Sequence, residues 1–234
     1  MRSNPVVRNA IKEFKDNELI VASKFYRENL ADQIGEAAYY KTLQRMCEAG
    51  ELMKIAKGTY HLPKKSKYGI VPPSENEIVE AFTKNETGTV VGYSLYNALN
   101  LTTQISKVIN VVSSSLDGIT KSVRNIVIHQ MSLEFSTEVT NMVQALEVLQ
   151  NFNSIQDINY SAFLRYTEKV ATSFDAEAFR EVVTAKKYKK STIAFLQEIL
   201  NYYQVSNNLN EYLCSLSEYK YPKMEELYEA ARIS

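Results

Sequence analysis

The stretch EAGELMKIAKGTYHLPKK, residues 48–65, limits what this chain can fold into more than any other. Gly50 stands where an outgoing helix needs a C-cap. Leu52, Ile55, Tyr60 and Leu62 are the apolar members of two short strands, and Lys57-Gly58 lies between them as a turn would. A helix that ends in glycine and runs straight into a short ribbon is either an ordinary structural hairpin or the wing of a winged helix. Lys54, Lys57, Lys64 and Lys65 give that ribbon positive charge.

What precedes the ribbon bears on the choice. Val7, Ala10, Ile11 and Phe14 fall at i, i+3, i+4 and i+7, which predicts a helix over 6–15 with Pro5 in its first turn. Leu19, Ile20 and Val21 make a short apolar step, and Ser23 is placed to cap a short helix over 24–28. A turn-rich NLADQIG follows, then a longer helix over 36–49. Tyr39, Leu43, Met46 and Gly50 share one face of it, while Tyr40, Lys41, Gln44 and Arg45 point away. Helix, short helix, turn, helix, glycine and ribbon is the order of a winged helix-turn-helix with the third helix as the reading element. Lysine and arginine can bond phosphates or guanine edges, glutamine can pair adenine, and tyrosine can bond phosphate. A solvated helix face beside a basic hairpin has the same pattern, and so does a winged helix that docks a protein.

Charge points the same way. The 27 Lys and Arg balance the 27 Asp and Glu of the 234 residues, but not evenly along the chain. Residues 1–67 hold 13 basic against 8 acidic residues, and residues 68–234 hold 14 against 19. A basic head on an acidic body is the asymmetry expected of a nucleic-acid binder with a second domain. Residues 66–74, SKYGIVPPS, read as the linker, because Pro72-Pro73 cannot sit inside a helix or a central strand and few contacts should cross there. The expected division is a winged helix-turn-helix over 1–67 and a second domain over 68–234.

In that second part Ser74 and Glu77 form a capping-box pattern for a helix over 75–84. ETGTVVGYS gives a turn and a short strand, and residues 94–99 a short helix. KVINVVSSS and RNIVIHQM are β-branched runs separated by the turn LDG and a polar stretch, as two paired strands would be. Beyond Thr137 the pattern turns helical: NMVQALEVLQNF, SAFLRYTEKVATSF, AEAFREVVTAKKY, STIAFLQEILNYYQV and MEELYEAARI are each amphipathic. The fold class expected is α+β: an N-terminal winged helix-turn-helix, a mixed α/β region with short strands near 89–131, and a C-terminal helical region.

The residues offer little for catalysis. Gly88 and Gly118 are isolated, so no phosphate-binding glycine loop is present, and the serines at 113–115 lack the glycine-flanked turn of a hydrolase nucleophile. His61 and His129 are expected as plain strand residues, His61 facing solvent or DNA. Cys47 is expected to pack and Glu225-Glu226 to be solvated. Two cysteines and two histidines argue against a disulfide framework and a metal site. The expectation is a protein that is not an enzyme and needs no cofactor. From the polar N-terminus and the lack of long apolar runs, the cytoplasm is the compartment expected. The tyrosines that cluster late are expected to pack the helical region. The run KKYKK at 186–190 reads as a solvated helix junction or a second nucleic-acid contact.

RMCEAGELMKIAKGTYHLPKKSKYGIVPPSENEIVEAF and VVGYSLYNALNLTTQ resemble the AbiEi-like antitoxins, transcriptional regulators of type IV toxin–antitoxin and abortive-infection systems. The matching features come in order: a helix ending in EAGEL, a KGTYHLPK wing, a lysine-bearing linker with a proline-serine helix start, and YNALNLTTQ. The last has Asn100 where the family often has glycine. The resemblance covers about residues 18–150 and is general beyond them. It implies a repressor that binds repeats in its own promoter and counteracts a neighbouring nucleotidyltransferase-like toxin without a stable complex. Mapped by motif, the DNA contacts it implies are Tyr40, Lys41, Gln44 and Arg45 on the helix and Lys54 and Lys57 on the wing. A protein-interaction adapter whose winged helix docks a protein partner is the alternative.

Overall fold

The computed structural model describes residues 4–16, 18–116, 118–214 and 216–233. Helix α1 (Pro5–Lys12) starts on Asn4, whose side chain accepts from the Val6 amide at 2.9 Å, and Pro5 occupies its first position. Strand β1 (Leu19–Val21) runs directly into α2 (Ala22–Asn29). The expected Ser23 cap is not used. The helix begins two residues earlier, and the Ala22 amide is satisfied instead by the carbonyl of Gly58 at 2.9 Å. Helix α3 (Glu36–Glu48) ends at Gly50 as the sequence indicates. Gly50 has φ +69°, its amide bonds the Cys47 carbonyl, and the Glu51 amide bonds the Met46 carbonyl at 2.9 Å, which is a Schellman closure. Strands β2 (Met53–Ala56) and β3 (Thr59–His61) follow, with Lys57-Gly58 as their turn and Gly58 at φ +70°. They join β1 in an antiparallel sheet of order β1-β3-β2.

Because β3 is the central strand, all three of its residues are buried. This overturns the expectation that His61 faces solvent or DNA. Helices α1 and α3 cover one face of the sheet, through Val7, Ile11, Ile20, Tyr39, Leu43, Met46 and Tyr60. The other face is covered by what comes later in the chain, so alternation along β3 exposes neither side.

The segment read as a linker is partly an ordered ribbon, and its first strand takes up Lys64 and Lys65, which the sequence pattern assigns to the β2–β3 ribbon. Strands β4 (Lys64–Ser66) and β5 (Gly69–Val71) pair antiparallel, with every residue exposed. Ser74 then caps α4 (Glu75–Thr83) in a complete capping box with Glu77, as the sequence pattern indicates. Strand β6 (Gly88–Val91) leads through Gly92 into α5 (Tyr93–Ala98). Strands β7 (Ile109–Ser113), β8 (Thr120–Val123) and β9 (Ile126–Gln130) complete a sheet of order β6-β7-β9-β8. The two β-branched runs do pair, but β7 and β9 are parallel, and the polar stretch between them supplies the edge strand β8. Asp117 of the expected LDG turn lies outside the described residues.

The rest is helical: α6 (Thr137–Asn151), α7 (Tyr160–Thr172), α8 (Ala176–Ala185), α9 (Lys190–Tyr202) and α10 (Met224–Ile233). Apolar faces of these helices and α5 close one core with Val91 and Val112 of the sheet. A separate core joins the two halves of the chain. Leu19 and Val21 of β1 pack with Ile78 and Phe82 of α4 and with Val111, Val123, Ile126 and Ile128 of the four-stranded sheet; Ile55 and Ala56 of β2 border it. Contacts therefore do cross the 66–74 junction, contrary to expectation. The architecture is α+β with a C-terminal helical region. Among the described residues no helix is long and apolar enough to cross a membrane.

Candidate nucleic-acid interface

Helix α3 is set by its buried face. Tyr39 is fully buried, and its hydroxyl donates to the Ala22 carbonyl at 3.0 Å, tying α3 to the start of α2. Leu43 and Met46 sit beneath it in the same core, and Thr42 turns its hydroxyl back to the Ala38 carbonyl at 2.8 Å. With that face fixed, Lys41 and Gln44 are exposed, whereas Tyr40 and Arg45 are half-buried. The Tyr40 ring lies edge-on to Tyr39 with 5.1 Å between centroids, so it leans on the core and does not point wholly away from it. Gln44 donates to Glu48 Oε1 at 3.0 Å, an exposed i,i+4 bond that a competing partner can replace at little cost.

The hairpin supplies Lys54 and Lys57, both exposed. Together with Tyr40 and Tyr60 they line a groove of about 600 Å³ between α3, the hairpin turn and β8. The third lysine of this groove, Lys121, comes from β8, and its Nζ donates to Thr59 Oγ1 at 3.2 Å. No carboxylate lines the groove among the described residues, so its charge suits an anion. The arrangement thus brings Tyr40, Lys54 and Lys57 to one place, and leaves Lys41, Gln44 and Arg45 on the outer surface of α3. Lys121 could not have been found from sequence: one lysine in a polar stretch carries no signal until β8 is laid beside the hairpin.

Burial shifts the titratable groups near the groove. Burial pushes the Cys47 thiol up, with Lys54 opposing weakly, so the thiolate nucleophile is disfavoured. Burial pushes Tyr39 and Tyr60 up as well. Burial is also the main cause holding His61 below its ordinary value of 6.5, and the Arg124 guanidinium adds to it. Neutral His61 is the favoured form, with Nδ1 at 3.0 Å from the Leu62 carbonyl.

The KKYKK run is anchored only in part: Tyr188 is buried and Lys186 half-buried, while Lys187, Lys189 and Lys190 are exposed. Lys186 and Tyr188 both donate to Oε1 of the buried Glu147, the tyrosine at 2.8 Å. The Lys189 amide donates to Gln150 and the Lys190 ammonium to the Tyr212 carbonyl. The run is thus a largely solvated junction between α8 and α9, held at Lys186 and Tyr188 by Glu147. Among the described residues no group of three His, Cys, Asp or Glu side chains is placed to hold a metal ion.

Residues 7–161 match the model of DUF6088, a family of unknown function. The match runs from α1 through both sheets to the start of α7, so it takes in the groove and leaves most of the C-terminal helices outside. No curated protein matches the chain.

Proposed function

The chain belongs to the DUF6088 family, and from that premise we propose that it is a DNA-binding transcriptional repressor, reading DNA through α3. One observation carries this reading. With Tyr39, Leu43 and Met46 buried, α3 presents Lys41 and Gln44 outward, with the half-buried Arg45 next to them, beside a groove lined by Lys54, Lys57 and Lys121. The order α1-β1-α2-α3-β2-β3 with sheet order β1-β3-β2 supports treating residues 4–62 as a winged helix, and the Lys57-Gly58 turn as its wing. Lysines on a wing and a helix placed for the major groove are the parts such a reader uses for backbone and base edges.

The resemblance to AbiEi-like antitoxins extends the proposal: the DNA is the promoter of the chain's own operon, and the protein counteracts a nucleotidyltransferase-like toxin encoded beside it. The DNA part is tested by gel shift with the upstream region. Lys41→Ala with Arg45→Ala should lower affinity by about 1–3 kcal/mol for each base no longer read, with the fold retained. Unchanged affinity in a folded double variant removes α3 from the interface, and no binding by the wild type favours the protein-docking alternative. The antitoxin part is tested with both genes on separate inducible promoters. There the double variant should still rescue growth, and failure of the wild type to rescue leaves a repressor alone.

A further inference from the structure

The ribbon β4–β5 is not needed by any of the cores. All six strand residues are exposed. Among the described residues, none of the six belongs to a hydrophobic cluster, and the two strands pair only with each other. A lone two-stranded ribbon is marginal in water, yet this one is built with care. Pro63 stands before it and Pro72-Pro73 after it, so neither end can continue a strand into the neighbouring sheets. Its root is held, because Pro73 is buried and the Arg124 side chain donates to the Pro73 carbonyl at 2.5 Å. Its tip is closed by Ser66, which donates to the Gly69 carbonyl at 2.9 Å and accepts from the Tyr68 amide at 3.1 Å. Gly69 at φ +113° takes a conformation that a side chain would oppose.

Residues 64–71, KKSKYGIV, contain three lysines and no acid. Tyr68 at the tip is 88% exposed, with the Lys67 ammonium 4.9 Å from its ring centroid. Ile70 is 51% exposed. A two-stranded ribbon fits a DNA groove, and lysines that flank an exposed aromatic and an aliphatic side chain are the composition of an arm that grips phosphates and lays apolar groups against the groove.

We propose that β4–β5 is a DNA arm, which contacts duplex beyond the segment covered by α3 and the β2–β3 hairpin. This deepens the reading of the chain as a DNA-binding protein and rests on it. The arm makes the site longer than one winged helix needs, and its contacts are to backbone and groove shape more than to base identity.

The test uses the full-length protein and a duplex of about 40 base pairs from its own upstream region, long enough to exceed a single-module footprint. Lys64, Lys65 and Lys67 are replaced together by alanine, and Tyr68→Ala is made separately. Hydroxyl-radical footprints and the salt dependence of affinity are the readouts. The triple variant should keep the wild-type melting temperature, lose protection on one flank only, and reduce the log–log salt slope by about 1 for each phosphate no longer neutralised, about 3 in all. Tyr68→Ala should weaken protection on the same flank with little change in slope. An unchanged footprint and slope in the triple variant, while the wild type binds, overturns the arm and leaves the reading through α3 intact. No binding by the wild type overturns both. A dimer in sedimentation, without DNA, that the triple variant abolishes would assign the ribbon to a second copy of the chain and overturn the arm.

Discussion

Replacing Phe82 with alanine tests whether the head and the four-stranded sheet are one cooperative structure. Phe82 is fully buried where β1, α4 and the sheet meet, against Leu19 and Val21 from one side and Val111, Ile126 and Ile128 from the other. Three elements hold the walls of the site, and α4 is pinned at its start by the capping box, so the space left by the ring cannot close by movement of one element. The cost should then lie in the usual range for a buried phenylalanine, about 3–5 kcal/mol. For a chain of this length that is a fall in melting temperature of roughly 6–20 °C. Calorimetry gives the midpoint, and amide exchange gives the location. Amides of β1 and β3 should lose protection together with those of β7 and β9. The reasoning is refuted if the sheet amides alone lose protection, if two separated transitions appear with the head unchanged, or if the loss is under about 1 kcal/mol.

Gly88→Ala should also destabilise, because a Cβ there would lie 2.4 Å from the carbonyl oxygens of both Phe82 and Val112; a lower urea midpoint corresponding to about 1–3 kcal/mol is expected. His61, held neutral by burial with its folded pKa below 6.5, binds its proton more readily in the unfolded chain. Its contribution is therefore fully present above the ordinary value of 6.5 and is lost as the pH falls below it, so His61→Gln should flatten the decline of the stability profile on the acid side of that value. Lys186→Met leaves the buried Glu147 carboxylate without its cation and should lower the melting temperature more than Lys186→Met combined with Glu147→Gln, because the unpaired charge is the costly species.

Features set by a few neighbouring residues were legible in the chain itself. The Gly50 helix stop, the Lys57-Gly58 turn, the Ser74–Glu77 capping box and the buried row Tyr39, Leu43 and Met46 each depend on contacts within about four positions, and all are where the sequence puts them. Strand partners are chosen across long separations, where local pattern carries no information. The two β-branched runs pair, but the sequence does not say that β9 lies parallel to β7 or that the polar residues 120–123 form the edge strand β8. Without β8 there is no reason to place Lys121 beside Lys54 and Lys57. The burial of His61 has the same origin. Alternation predicts an exposed side only for a sheet open to water on one face, and β3 is covered on both, by helices from its own half of the chain and by α4 and the second sheet from the other. The outward row Lys41, Gln44 and Arg45 belongs to the local pattern of α3. The groove beside it exists only because two distant segments were brought together by the core around Phe82.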